Sequence, residues 1–279
     1  MSKYYYLIAG LPDLNLDDTK LSYTVADFKT ELYTQLSDPD KKLIDLFYLK
    51  FDNANVLKLL KDKDAEIDDR GTYSAEQLTE YIDTIKEGTE INSSVFPSYL
   101  SAFIQSYFES SEEDESLLED SLAGLYFKYA MNSGSRFVTS WFRFNLIMNN
   151  ILVALSARKY KLDVSQRIVG DGDISDALRS SGARDFGLSG EVEFFDQLTK
   201  IGEISDLVER ERKIDALCWN WVEDETFFDY FTIERIFAYL VKLEIIERWI
   251  NLDKEEGSRK FREIIESLKN DVQIPAEFR

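Results

Sequence analysis

Apolar residues recur along this chain at helical spacing, most densely over 135–159, SRFVTSWFRFNLIMNNILVALSARK. Phe137, Trp141, Phe144, Met148, Ile151 and Leu155 advance by steps of four and three and share one stripe. Phe142, Leu146 and Val153 form a second stripe on the opposite side. A segment apolar on nearly every face and long enough to cross a domain predicts a buried central helix of a soluble protein. Arg143, Asn145, Asn149 and Asn150 break the run short of the roughly eighteen residues a membrane span needs.

The rest of the chain reads the same way. Tyr4 to Leu11 is a short apolar segment that the pattern assigns to neither helix nor strand. Thr24-Val-Ala-Asp27 opens a helix bearing Phe28, Leu32 and Leu36. Asp38-Pro39 starts another, through Leu43, Phe47, Phe51, Ala54 and Leu57 to about Lys63. Beyond the turn at Asp68–Gly71, Ser74-Ala-Glu-Gln77 caps a fourth segment, and Phe96-Pro97 starts one through Tyr99, Phe103 and Tyr107. Leu117–Ala130 comes next, ended by Asn132-Ser-Gly134. After the central helix, the glycine-rich 170–190 predicts a mobile connection with at most one short helix. Its Asp171-Gly-Asp173 lacks the further ligands of a calcium loop and reads as a turn. Helices over Val192–Lys200, Ile204–Val222 and Ile233–Ile250 follow, then a charged one near Glu255–Lys269. The fold class is therefore all-α, divided here into units 1–112, 113–200 and 201–279 of one body.

Composition narrows the chemistry. With 33 basic and 53 acidic residues among 279, the net charge of −20 argues against nucleic acid or an anionic membrane as partner. Absence of histidine removes the commonest general base and most zinc sites, and the lone Cys218 leaves no cysteine cluster or internal disulfide. Neither metal nor cofactor is expected. The N-terminus has no secretory pattern, which points to the cytoplasm. The acidic run ESSEEDESLLED, with Glu112, Glu113, Asp114 and Glu115, is either a solvated linker feeding a helix N-terminus or a docking strip for a basic partner.

Two helices echo each other. Aligning LFYLKFDNANVLKLL (46–60) with WFRFNLIMNNILVAL (141–155) sets Asn55 on Asn150, Phe47 on Phe142, Phe51 on Leu146 and Val56-Leu57 on Ile151-Leu152. Buried amides need partners, so Asn55, Asn150 and the nearby Asp52 are expected to be buried and hydrogen-bonded. A repeat implies tandem helical units rather than one catalytic pocket.

With Asp52, Asn55, Val56 and Leu57, the segment FYLKFDNANVLKLLKDK resembles a helix of the C/d-type rotor component of V/A-type rotary ATPases. In the second copy Ile147 stands where the aspartate would be. FTIERIFAYLVKLEIIERWINLDKEEGSRKFREIIESL, through Tyr239, Lys242 and Glu244, resembles that family's closing helices. The resemblance implies a pseudo-threefold, funnel-like bundle without catalysis. Such a component is a rotor socket between the central stalk and the membrane ring, coupling ATP to proton or sodium transport. It would lie on the inner face of the cell membrane, touching it only through the ring. Two rivals remain: an acidic helical adaptor, and a hydrolase using Glu244 and Glu247. Ion pairing of Glu247 with Arg235, Lys242 or Arg248 is the simpler account of that carboxylate.

Overall fold

Among the described residues, the helix signals become helices. A computed structural model describes residues 4–88, 95–110, 115–252 and 259, side chains of 115 and 116 excepted; among them are eleven α-helices and no strand. The fold is all-α. In order these are α1 (Tyr5–Ala9), α2 (Val25–Asp27), α3 (Asp38–Lys61), α4 (Ala75–Lys86), α5 (Ser98–Glu109), α6 (Glu115–Met131), α7 (Arg136–Tyr160), α8 (Asp173–Ser180), α9 (Phe195–Glu203), α10 (Leu207–Glu225) and α11 (Ile233–Asn251). The undecided opening segment is thus helical, while the helix expected near Glu255–Lys269 lies outside the described residues.

The helix opening at Thr24 is not a regular α-helix. Its capping box forms, with the Thr24 side chain on the Asp27 N–H and Asp27 on the Thr24 N–H. After Asp27 the backbone widens over Phe28–Leu32, where Tyr33 N–H reaches Phe28 C=O, then tightens over Tyr33–Gln35. Residues four apart drift about 40° per step around a 3.6-residue helix. The wider turn offsets that drift, and Phe28, Leu32 and Leu36 all remain buried.

The two long helices have well-defined ends. Ser37, Pro at the first turn and Asp38 and Asp40 start α3, and Lys58 and Lys61 finish it, so charge opposes the helix dipole at both ends. For α7, Ser135 caps the Val138 N–H, and Lys161 closes the helix in the left-handed region at φ 56°. The expectation of a wholly buried central helix needs one correction. Val153 is exposed, while Phe142 and Leu146 of the same stripe are buried.

One apolar core runs from Val25 to Ile245 and crosses all the unit boundaries drawn from sequence. Helix α6 packs on both α5 and α7, and α2 packs on α11, which brings an early segment of the chain against a late one. At the centre, Phe237 of α11 touches Phe47 of α3 (6.2 Å between ring centres) and Phe142 of α7 (6.5 Å), both edge-on. Those two rings are the aligned pair of the echo.

Candidate functional site

The echo extends from sequence to environment. Positions 49–59 and 144–154 agree one by one in being buried, half-buried or exposed, except where buried Asp52 aligns with half-buried Ile147. Two buried helices share an apolar pattern readily; they do not share a polar device by chance so easily. Asn55 Nδ2 donates to Asp68 C=O (2.9 Å), and its Oδ1 accepts Asp68 N–H (2.8 Å). Asn150 does the same to a single residue of its own loop, donating to Val169 C=O (2.7 Å) and accepting Val169 N–H (3.0 Å). Each amide thus clamps the chain that returns after its helix.

Around each clamp, a cation covers neighbouring carbonyls. Lys29 donates to Arg70 C=O (2.9 Å) and to Gly71 C=O; Arg179 donates to Ile168 C=O (2.8 Å) and to Gly170 C=O. Eight residues past each asparagine a second cation holds the following helix end: Lys63 pairs with Asp83 (2.6 Å), and Arg158 donates to Ser181 C=O (2.8 Å). The glycine-rich 170–190 receives hydrogen bonds from Asn150 at Ser175, from Arg158 at Ser181 and from Arg179 at Gly170, and it holds one short helix, α8.

Asp52 is fully buried and serves only the first clamp. Its carboxylate accepts Thr72 N–H (2.8 Å) and Tyr73 N–H (3.1 Å), just ahead of α4. Burial pushes its pKa above the usual carboxylate range, against the pull of those two N–H groups. Glycine is required beside it: a Cβ on Gly71 would lie 2.6 Å from Asp52 Oδ1 and 3.0 Å from Asn55 Nδ2.

Between the clamped helices and α10–α11 lies a cleft of about 380 Å³. Phe47, Phe127, Trp141 and Phe142 supply its apolar wall, and Lys50, Glu211, Asp215, Glu244 and Arg248 its charges. The charges are mostly matched. Glu244 pairs with Lys50 at 3.3 Å, while Asp215 accepts from Arg248 and from Trp249 Nε1 (2.6 Å). Burial alone would raise Glu244, but Lys50 and Arg248 outweigh it and hold the carboxyl below its ordinary value.

Glu244 and Glu247, the carboxylates of the hydrolase reading, are each engaged within the protein. A general acid needs a raised pKa, and Glu244 is driven the other way. Glu247 Oε2 accepts the Val25 N–H (2.7 Å) at the start of α2, in place of the expected ion pair. The three cations named for it are otherwise engaged: Lys242 with Glu223 (3.0 Å), Arg248 with Asp215, and Arg235 with the Thr226 hydroxyl. Burial pushes the Cys218 thiol up to about 12, which leaves it unreactive in the core beside Met148. Among the described residues, no group of three or more His, Cys, Asp or Glu is placed to hold a metal ion. No helix there is long and apolar enough to cross a membrane.

Glu112, Glu113 and Asp114 lie outside the described residues, as does the side chain of Glu115, whose backbone begins α6. Sequence reasoning missed Phe237, on which the aligned rings meet, because nothing local to α11 distinguishes it from other apolar positions. It also passed over the aromatic run of 226–232, TFFDYFT, whose density was visible in the sequence.

The model of a family described as "Protein of unknown function (DUF2764)" matches residues 1–272. No curated protein and no solved structure matches the chain.

Proposed function

Because this chain belongs to the DUF2764 family, whose description assigns no activity, we propose a function from the site itself: a non-catalytic socket subunit of a V/A-type ATPase rotor. It would link the central stalk to the membrane ring and pass torque for ATP-coupled proton or sodium transport. The observation that carries this reading is the convergence of Phe47 and Phe142 on Phe237, with an asparagine clamp on the same helix as each aligned ring. Two similarly built units thus flank a helix of the chain's last third. In this reading α10 and α11 form the third unit of a pseudo-threefold funnel, although among the described residues they carry no third clamp and Asn220 is exposed.

The physics of torque favours such a body. Force passes without loss only through an interior that does not yield, and edge-on aromatic packing closed by buried polar clamps is stiff. The cleft, at about 380 Å³, takes side chains projecting from a stalk rather than a whole helix. The identity of stalk and ring as partners comes from the resemblance of the α3 and α11 segments to the C/d-type rotor component. Membrane contact would be indirect, through the ring on its inner face. An acidic helical adaptor outside any ATPase is the second reading, favoured by the exposed aromatic side chains of 226–232.

Co-expression with central-stalk and ring subunits is the test. The rotor reading expects co-elution at low salt, with association that slows markedly as salt rises and dissociation that quickens only modestly. No co-elution at low salt would refute it. Hydrolase activity lost on Glu247→Gln with the fold intact would favour the enzyme.

A further inference from the structure

The seven residues joining α10 to α11, TFFDYFT (226–232), carry four aromatic side chains, and most of that surface is left in water. Phe227 is 63% exposed, Phe228 80% and Tyr230 61%, while Phe231 bridges to Tyr5 of α1, whose neighbour Tyr6 is 97% exposed. At about 150–250 Å² per ring, these fractions amount to several hundred Å² of aromatic surface. Patches of that size on a folded chain mark interaction sites.

This surface is held in shape. Thr226 is buried, its hydroxyl donates to Val222 C=O (2.6 Å), and Arg235 donates to that hydroxyl. Phe227 N–H reaches Asp224 C=O, Asp229 N–H reaches Thr226 C=O (3.0 Å), and Tyr4 N–H reaches Phe231 C=O (2.8 Å). The rings also lean on each other, Phe227 on Phe228 at 4.9 Å and Tyr5 on Phe231 at 4.5 Å. A connection so fixed presents its side chains at little further entropic cost on binding.

Charge decides the occupant. Asp224, Glu225, Asp229 and Glu234 stand on or beside this connection, against Arg136 and an Arg235 committed to Thr226. One carboxylate oxygen of Glu234 is buried without a hydrogen-bond partner. Burial and then the Glu234 charge push Asp229 above its ordinary value, as crowded negative charge does. A second copy of the chain would set acid on acid, and an anionic bilayer would be repelled in the same way. We propose that the 226–232 surface docks a partner protein whose contact face carries apolar side chains flanked by lysine or arginine. This does not depend on the rotor reading, since any such partner satisfies it.

The test uses the full chain with a labelled amphipathic helical peptide of leucine and lysine, its leucine–glutamate counterpart, and fluorescence anisotropy. The lysine peptide should bind and the glutamate peptide should not. Phe227→Ser/Phe228→Ser/Tyr230→Ser should weaken binding at least tenfold. Asp224→Asn/Glu225→Gln/Asp229→Asn should flatten the salt dependence. Phe228→Ser alone, at the most exposed ring of the connection, gives the same direction should the triple variant fail to fold. Unchanged binding by the serine variants would overturn the proposal, leaving bulk charge as the cause. A dimer in sedimentation that those variants dissociate would overturn it in favour of a second copy. Serine-sensitive binding to phosphatidylcholine–phosphatidylglycerol vesicles would overturn it in favour of a membrane.

Discussion

Gly71→Ala adds one methyl group at the tightest point of the first clamp. The new Cβ would lie 2.6 Å from Asp52 Oδ1, 3.0 Å from Asn55 Nδ2 and 3.4 Å from Asp52 Cγ. Backbone strain is no part of the cost, since Gly71 is not among the positive-φ glycines. Nor can Asp52 swing aside freely: it is fully buried and holds the N–H groups of Thr72 and Tyr73. Overpacking costs about 1–3 kcal/mol, and a lost hydrogen bond to a charged group about 1.5–3 kcal/mol. If the clash is met partly by each, Gly71→Ala loses about 2–4 kcal/mol. Urea unfolding followed by circular dichroism and tryptophan fluorescence measures it, with Gly182→Ala as control because nothing lies within 4 Å of its added Cβ. Repeating Gly71→Ala in an Asp52→Ala background isolates the contact. There the methyl meets only Asn55 Nδ2, at 3.0 Å, and should cost clearly less than in the wild-type background. An equal loss in both backgrounds, or none in either, would refute the account of the clamp.

The other expectations concern the same framework. Asn55→Ala and Asn150→Ala each strand a loop N–H and C=O and should lose about 1–3 kcal/mol in urea unfolding; a neutral result at either site would break the equivalence of the clamps. Glu244, held below its ordinary value, contributes stability present above the unfolded glutamate value of about 4.3 and lost as pH falls through the lower folded value. The stability difference between wild type and Glu244→Gln should therefore shrink between pH 6 and pH 3.5, and a constant difference would contradict the pairing with Lys50. Cys218, with its thiol pushed up to about 12, should resist a thiol reagent at pH 8 in the folded chain and react on unfolding.

Much of this architecture was legible because helices write their buried faces into sequence at fixed spacing. Asp38-Pro39, Thr24–Asp27 and Ser74–Gln77 mark real helix starts through chemistry confined to one turn. Asn55 and Asn150 stood out because amides on apolar helices demand partners. The partners themselves were not legible. Asp68 lies 13 residues beyond its asparagine and Val169 lies 19 beyond, so no fixed spacing reveals the device. The widening at Phe28–Leu32 was hidden because an i, i+4, i+8 pattern fits both a regular helix and a locally wider one. Glu247 was misassigned since its partner, the Val25 N–H, is 222 residues away and belongs to the backbone, which no composition argument can see.

The one mismatch between the clamped helices, Asp52 against Ile147, follows from what comes after each clamp. In the first unit α4 begins at Ala75, seven residues after the clamped Asp68. The turn leaves the N–H groups of Thr72 and Tyr73 pointing inward, and a buried acceptor has to meet them. In the second unit α8 begins at Asp173, four residues after Val169, and Ser175 of its own first turns comes back to the clamp, its hydroxyl 3.4 Å from Asn150 Nδ2. With the loop closed by Ser175 instead, half-buried position 147 carries Ile, which needs no hydrogen-bond partner as a carboxylate would. Asp52→Ile should accordingly be more damaging than Asn55→Ala, since it strands two inward N–H groups and removes the acceptor that Gly71 was shaped around. Equal stability of the two variants in urea would mean that loop length does not explain the difference between the units.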